Sequence, residues 1–394
     1  MEKVKLADLA WPQFKANPYP FYARLRAEAP VCPTTLLGKR TWLVTRYSEA
    51  YSVLKDDRFV KDWPAATWWF HRLAGPATKH MLNQNGADHT RLRTLVHKAF
   101  TPHLIEGLRG RIQTVCDELL DATAAKGQID LMNDYALPLP LTIIAELLGV
   151  PVNERSRFHS LSRSSLSASS FYGIARSIPD QRSLVRRLRK LIAQRRSEPR
   201  DDLITALIKA EEAGDRLSEP ELVGMIILLI VAGYETTVNL IGSGVLALLQ
   251  NPHQLDVVRQ QQGVSDTAVE ELLRLTSPLE MSSPRFARKD LEIRSVAVRR
   301  GDLVVVVLGS ANHDEAQFDD PDSLDVMRQP NKHLAFGQGA HFCVGAPLAR
   351  LEGQIALSSV FRRFPNLKLA EQSESIRWRK SLIVRGLETL PLTL

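Results

Sequence analysis

Among its 394 residues the chain has three cysteines, Cys32, Cys116 and Cys343, too few and too scattered for a disulfide framework or a cysteine-rich zinc site. A single cysteine with a special neighbourhood therefore carries weight. Long apolar runs are scarce too. The most apolar, MIILLIVAG from Met225 to Gly233, is too short to span a bilayer and soon meets charge at Glu235, so it reads as a buried helix segment. The opening MEKVKLADLAWPQFKANPYP carries acids and has no continuous apolar stretch, so neither a secretory signal nor a membrane anchor is expected, and the protein is expected in the cytoplasm. No internal repeat and no Gly/Ser- or Pro-rich linker divides the chain, which favours one domain over residues 1–394.

What is present is a globular composition, with 44% hydrophobic and 24% charged residues. Fifty-one Lys and Arg against 44 Asp and Glu leave a net charge of +7, compatible with nucleic acid, an anionic membrane or an acidic protein partner. The basic amphipathic stretch 182–196 sets Leu184, Leu188 and Leu191 on one side. Nothing aromatic lies among its arginines to stack on bases, so a solvated face is favoured and no nucleic-acid partner is expected. Residues 160–170 are rich in serine and read as a loop or frayed helix end, with a pocket lid as the alternative.

Helical periodicity dominates from about residue 87 onward, and strand-like runs are few: TWLVT, DLEIRSVAV and DLVVVVLGS. The expectation is a mainly α protein with a small β region at about 30–60 and 285–310 plus C-terminal strands. The helical body is expected over about 87–280 and 343–362.

The sharpest local signal is FGQGAHFCVGAPLARLE, residues 336–352, where Cys343 sits between glycines just before a helical pattern. Gly337, Gly339 and Gly345 let the backbone pass close to a flat ligand, and N–H groups beside a helix N-terminus stabilise a thiolate. Such a thiolate serves as a nucleophile or an axial metal ligand; an inert cysteine at a turn is the plain alternative.

Phe336, Gly339, Cys343 and Gly345 reproduce the F-x-x-G-x-x-x-C-x-G loop of the cytochrome P450 family, and the chain resembles that family over nearly its whole length. Other segments match in order. EELLR resembles the family's E-x-x-R pair, here Glu271 and Arg274, which braces the cofactor-binding core. AGYETT resembles the segment crossing the oxygen-binding face, with Ala232 and Gly233 against the cofactor and Glu235 and Thr236 as the acid and alcohol of proton delivery. DHTRLR supplies His89 and Arg93, and PRFARKD supplies Arg285; with His341 these are the candidate partners of the cofactor's propionates.

The resemblance implies a triangular P450-like fold holding haem b (iron protoporphyrin IX), with iron bound by Cys343. It implies a monooxygenase of bacterial secondary metabolism that inserts one oxygen atom from dioxygen, most simply by hydroxylation, into a hydrophobic small-molecule or carrier-bound substrate. Electrons would come from an acidic ferredoxin or flavodoxin with its reductase, for which Arg91 and Lys98 are candidate contacts. A peroxide-driven peroxygenase and a catalytically silent binding protein are the rivals; the intact Glu235 and Thr236 argue against the first, and the intact Cys343, Glu271 and Arg274 against the second. Leu279, Glu280 and Met281 are candidate pocket-wall residues, with Glu280 pointing outward or capping local backbone as the alternative. Residues 60–86 and 158–182 are the other candidate substrate-facing stretches.

Overall fold

The computed structural model describes residues 4–36, 38–61, 78–155, 158, 160, 171–212, 217–370 and 376–394, with side chains in the long helix from 171 described from 179 onward. The chain packs as two compact units. The first comprises Met1–Lys61, Ile112–Leu137 and Thr236–Leu394, and the second Asp62–Arg111 and Pro138–Glu235.

The first unit holds a five-stranded sheet in the order Val31–Leu36, Lys39–Val44, Leu303–Val306, Arg285–Ala287, Phe59–Val60. Its central strand, Leu303–Val306, is apolar throughout and buried at every position, as expected for a strand covered on both faces. It pairs in parallel with Lys39–Val44 and antiparallel with Arg285–Ala287. The run DLEIRSVAV is two short strands rather than one, Leu291–Ile293 and Val296–Val298, because Arg294 and Ser295 both turn to positive φ, 46° and 62°.

Three helices in this unit carry the site. Asp266–Thr276 starts at Ser265, whose hydroxyl accepts the N–H of Ala268 at 3.3 Å, and stops where Ser277 turns left-handed at φ 42°. Ala346–Arg363 begins with a proline in its first turn and ends with Arg362 and Arg363, which favour the negative end of the helix dipole. Tyr47–Lys55 packs beneath the cysteine loop.

In the second unit, Gly86–Ala99 packs against Leu203–Glu212, and Pro138–Leu147 and Phe171–Ser197 complete the helical body. Leu184, Leu188 and Leu191 are buried, so the basic stretch packs by its apolar side. Its arginines are drawn to acids: Arg187 to Glu154, Arg189 to Glu219, Arg196 to Glu211, and Arg195, itself buried, to Asp202.

Glu219–Gln250 is an unbroken helix of 32 residues. Glu221 reaches back to accept the backbone N–H of Ser218 at 2.7 Å, closing its first turn. Among the described residues it is the one helix long and apolar enough to cross a membrane, and 61% of its most apolar window is buried inside the protein. The helices Pro12–Ala16, Tyr19–Glu28 and Tyr47–Lys55 lie before residue 87, where the periodicity had drawn no attention to helix. The first of these is five residues long, too short to show a repeat.

Candidate active site

Cys343 closes a loop on itself, its N–H donating to the carbonyl of Phe336 at 3.0 Å. The loop can fold so tightly because Gly337 and Gly339 sit at φ 70° and 73°, a region that penalises any side chain. A Cβ at Gly339 would also lie 2.7 Å from the carbonyl oxygen of Leu54, so the loop rests directly on the end of Tyr47–Lys55. A Cβ at Gly345 would stand 3.9 Å from the Cys343 sulfur. Cys343 is half-buried, whereas Cys32 and Cys116 are buried. Burial pushes the Cys32 thiol up, and pushes the Cys116 thiol to about 12, which disfavours both as thiolates.

Adjacent glutamates on Asp266–Thr276 do different work. Glu271 and Arg274 are fully buried and form a two-pronged pair at 2.7 and 2.8 Å. Arg274 also donates to the carbonyls of Asn312, Pro321 and Ser323, while Glu271 accepts from the Asp325 N–H, Arg328 and Asn331. Burying two charges is tolerable only with such complete pairing. The pair ties down the segment leading to the loop, where Asn312 accepts the Leu334 N–H at 2.7 Å.

Glu270 was not singled out in the sequence. It holds Arg350 in two prongs, at 2.7 and 2.9 Å, and the Nε2–H of His333 at 3.1 Å. The His333 tautomer follows from its other nitrogen, which accepts the Ala335 N–H at 3.1 Å. Burial opposes ionisation of Glu270, yet Arg350 and His333 outweigh it and hold the carboxyl at about 2. Arg350 lies over the Phe336 ring at 4.6 Å, and its charge is favoured first by Glu270 and further by the Cys343 sulfur. The signal was available in EELLR and APLARLE, but an acid and an arginine far apart in the chain announce no pairing.

Arg285 is 5% exposed. Its Nη1 donates to the carbonyl of Leu54 at 3.1 Å, the same oxygen that Gly339 approaches, so Arg285 and the cysteine loop meet on one helix end. Its Nε is buried without a partner, and burial lowers its pKa to about 10. His341 ends the short turn Gly339–His341 and is half-buried.

In the second unit, His89 and Arg93 sit one turn apart on Gly86–Ala99. Burial, and then the Arg93 charge, lower the pKa of His89. On the same helix Lys98 is exposed, while Arg91 is engaged with Glu221 at 2.6 Å.

Helix Glu219–Gln250 runs through AGYETT without a break. Leu228, Ala232, Glu235 and Thr236 keep accessible surface at helical spacing, while Leu229, Ile230, Tyr234 and Thr237 are buried. One stripe of this helix is therefore open, apolar at Leu228 and Ala232 and polar at Glu235 and Thr236. Gly233, also half-buried, would place a Cβ 3.8 Å from Ile144. Behind the stripe, the carboxyl of Glu352 is buried, with Thr237 as its hydrogen-bond partner; burial pushes it to about 8.

Glu280 is turned inward. Its carboxylate meets Lys15 and accepts the Tyr22 hydroxyl at 2.7 Å, with no side-chain exposure to speak of. Met281 is 1% exposed in the core with Leu6, Leu9 and Val305, and Leu279 is half-buried. Of the two further substrate-facing stretches, residues 62–77 and most of 159–170 lie outside the described residues.

A thiol loop beside a buried glutamate–arginine pair, on a helical body with a small sheet, defines a family. The cytochrome P450 family model matches residues 8–171 and 180–386. The chain is 42% identical over 397 residues to the polyketide biosynthesis cytochrome P450 PksS of Bacillus subtilis, covering 97% of both, and the solved PksS structure superposes with a TM-score of 0.92 over 98% of each chain. It is 39% identical to 6-deoxyerythronolide B hydroxylase of Saccharopolyspora erythraea, covering 98% of both. P450BioI, solved with an acyl carrier protein bearing hexadec-9Z-enoic acid, has a TM-score of 0.90 at 38% identity, covering 97% of this chain and 99% of that one. The chain belongs to the cytochrome P450 family. It has the P450 fold and is a P450 monooxygenase.

The family implies a haem cofactor. The residues present fit one: a half-buried cysteine on a glycine loop, where the other two cysteines are sealed in the core, and a buried guanidinium whose Nε lacks an acceptor, as a carboxylate would supply.

Proposed function

We propose that the chain binds haem b through Cys343 and hydroxylates a hydrophobic small molecule, free or carrier-bound, of polyketide or fatty-acyl character. The observation that carries this is the half-buried Cys343 on its glycine loop, set against two cysteines whose burial disfavours the thiolate. Haem bound there supplies the activation of dioxygen and the insertion of one oxygen atom.

The remaining roles belong to side chains. His89, Arg93, Arg285 and His341 hold the propionates as cationic or N–H donors. Phe336 and Gly345 flank the sulfur, and Ala232 and Gly233 allow close approach of the helix to the flat cofactor. Glu235 and Thr236 hold and pass protons at the carboxylate and hydroxyl oxygens, and the hydroxyl both accepts and donates. Glu271 and Arg274 keep the loop in position. Leu279 and the apolar part of the open stripe contact substrate, while Glu280 and Met281 support Leu279 from behind. The substrate class rests on the relatives whose names mention polyketide biosynthesis, 6-deoxyerythronolide B and an acyl carrier protein.

Electrons come from an acidic ferredoxin or flavodoxin with its reductase, matching the net charge of +7, and the protein works in the cytoplasm as one domain. The test is the CO complex of the reduced protein, which should show the red-shifted Soret band of thiolate ligation and lose it in Cys343→His. Turnover of polyketide and acyl substrates with surrogate redox partners and NADPH, against hydrogen peroxide alone, then checks the source of oxygen. Product with peroxide only would make it a peroxygenase, and haem binding with neither would make it a silent binder.

A further inference from the structure

From residue 179 onward, helix Phe171–Ser197 carries seven cations, and the structure sorts them into two groups. Four are neutralised by acids of neighbouring segments: Arg187 by Glu154, Arg189 by Glu219, Arg195 by Asp202 and Arg196 by Glu211. Arg182, Arg186 and Lys190 are exposed and have no acid bonded to them among the described residues. They stand four residues apart, so they form one row along the solvent side, about 12 Å from first to last.

Like charges one turn apart destabilise a helix. That cost arises twice here, between Arg182 and Arg186 and between Arg186 and Lys190, on a helix whose other described cations are all neutralised. An acidic surface laid along the row removes the repulsion and adds attraction.

The rest of the helix says what kind of surface. A helix that binds membranes buries its own apolar side in lipid, but Leu184, Leu188, Leu191 and Ile192 are already buried in the protein. No aromatic residue lies among these cations to stack on bases. A straight row of three cations matches a row of carboxylates on an acidic helix of another protein. Arg189 ties the basic helix to Glu219 at 3.0 Å, the first residue of Glu219–Gln250, and the open stripe of that helix reaches Leu228 about 14 Å further along. The row is thus braced to the helix assigned above to substrate contact, which suits a partner that delivers substrate rather than electrons.

We infer that Arg182, Arg186 and Lys190 form the docking surface for an acidic carrier protein that presents a covalently held acyl or polyketide chain. This deepens the carrier-bound reading above and rests on it.

The test is calorimetric titration with a palmitoylated bacterial acyl carrier protein, and with free palmitate alongside. The proteins compared are wild type, Arg186→Gln, and two triple variants in which Arg182, Arg186 and Lys190 all become Gln or all become Glu. Carrier binding should weaken severalfold in Arg186→Gln, about tenfold in the Gln triple variant and further in the Glu one, and its salt dependence should flatten in the Gln variant. Palmitate binding and reduction by a surrogate ferredoxin should stay at wild-type values. Carrier binding at wild-type strength in both triple variants would overturn the assignment and leave the carrier-bound reading standing. A wild type that binds the palmitoylated carrier no better than free palmitate would end that reading, and the assignment with it. With carrier binding unchanged, slower reduction by ferredoxin in the triple variants would give the surface to the electron donor, and lost sedimentation with phosphatidylglycerol vesicles would give it to a membrane.

Discussion

Glu270 and Arg350 face each other across two parallel hydrogen bonds, and the guanidinium so held lies over Phe336 at the start of the cysteine loop. The Cys343 sulfur and the Arg350 cation interact favourably, so the pair fixes a positive charge beside the proposed iron ligand.

Arg350→Met should therefore lower the haem midpoint potential, because the thiolate loses a nearby cation and donates more strongly. Arg350 is 40% exposed, so screening limits the shift to roughly 20–60 mV. Spectroelectrochemistry on substrate-free protein checks it, and an unchanged potential would reduce Arg350 to a structural brace.

Glu271 and Arg274 are buried with no exposure of either side chain, so removal of one strands the other. Arg274→Met is expected to cost about 3–5 kcal/mol. Urea denaturation should show an early transition, accompanied by low haem content. A variant as stable as wild type would mean that Arg328 and Asn331 suffice to pair Glu271.

Glu352 offers a pH signature. Its folded pKa, about 8, stands above the ordinary 4.5, so folding favours the protonated form. Stability from this group is whole below about 4.5, declines as pH rises, and is lowest once pH passes about 8. Glu352→Gln should flatten that slope and stabilise the protein at pH 8 by a few kcal/mol. Calorimetric Tm values near pH 5 and pH 8 give the comparison; equal slopes in both proteins would contradict the assignment.

Thr236 keeps accessible surface on the open stripe, next to Glu235. Thr236→Ala removes the hydroxyl and leaves the cysteine loop intact. NADPH consumption should continue while product falls several-fold and hydrogen peroxide rises, in keeping with the size of general acid–base effects. Unaltered coupling would assign proton delivery to another group.

The family could be read from the sequence because its motifs are local. A cysteine between glycines, a glutamate and arginine three apart, and an acid beside a threonine within a helix all lie within a few residues of one another. Their roles depend on backbone geometry that the same few residues impose. The long helices were legible for a similar reason, since one buried face repeats at 3.6 residues. Short helices before residue 87 and the turn at Arg294–Ser295 were not, because a helix of five residues shows no period and a positive φ at non-glycine residues leaves little trace.

Tertiary structure alone decided which charges meet. Glu270 with Arg350 and Glu280 with Lys15 join residues far apart in the chain. A charged side chain has the same appearance in the sequence whether it ends in water or in the core. Glu280 is the plainest case: between a helix and a strand it could have faced a pocket, solvent or its own backbone. The direction it took was set by Lys15 and Tyr22, which the fold brought to it from the other end of the chain.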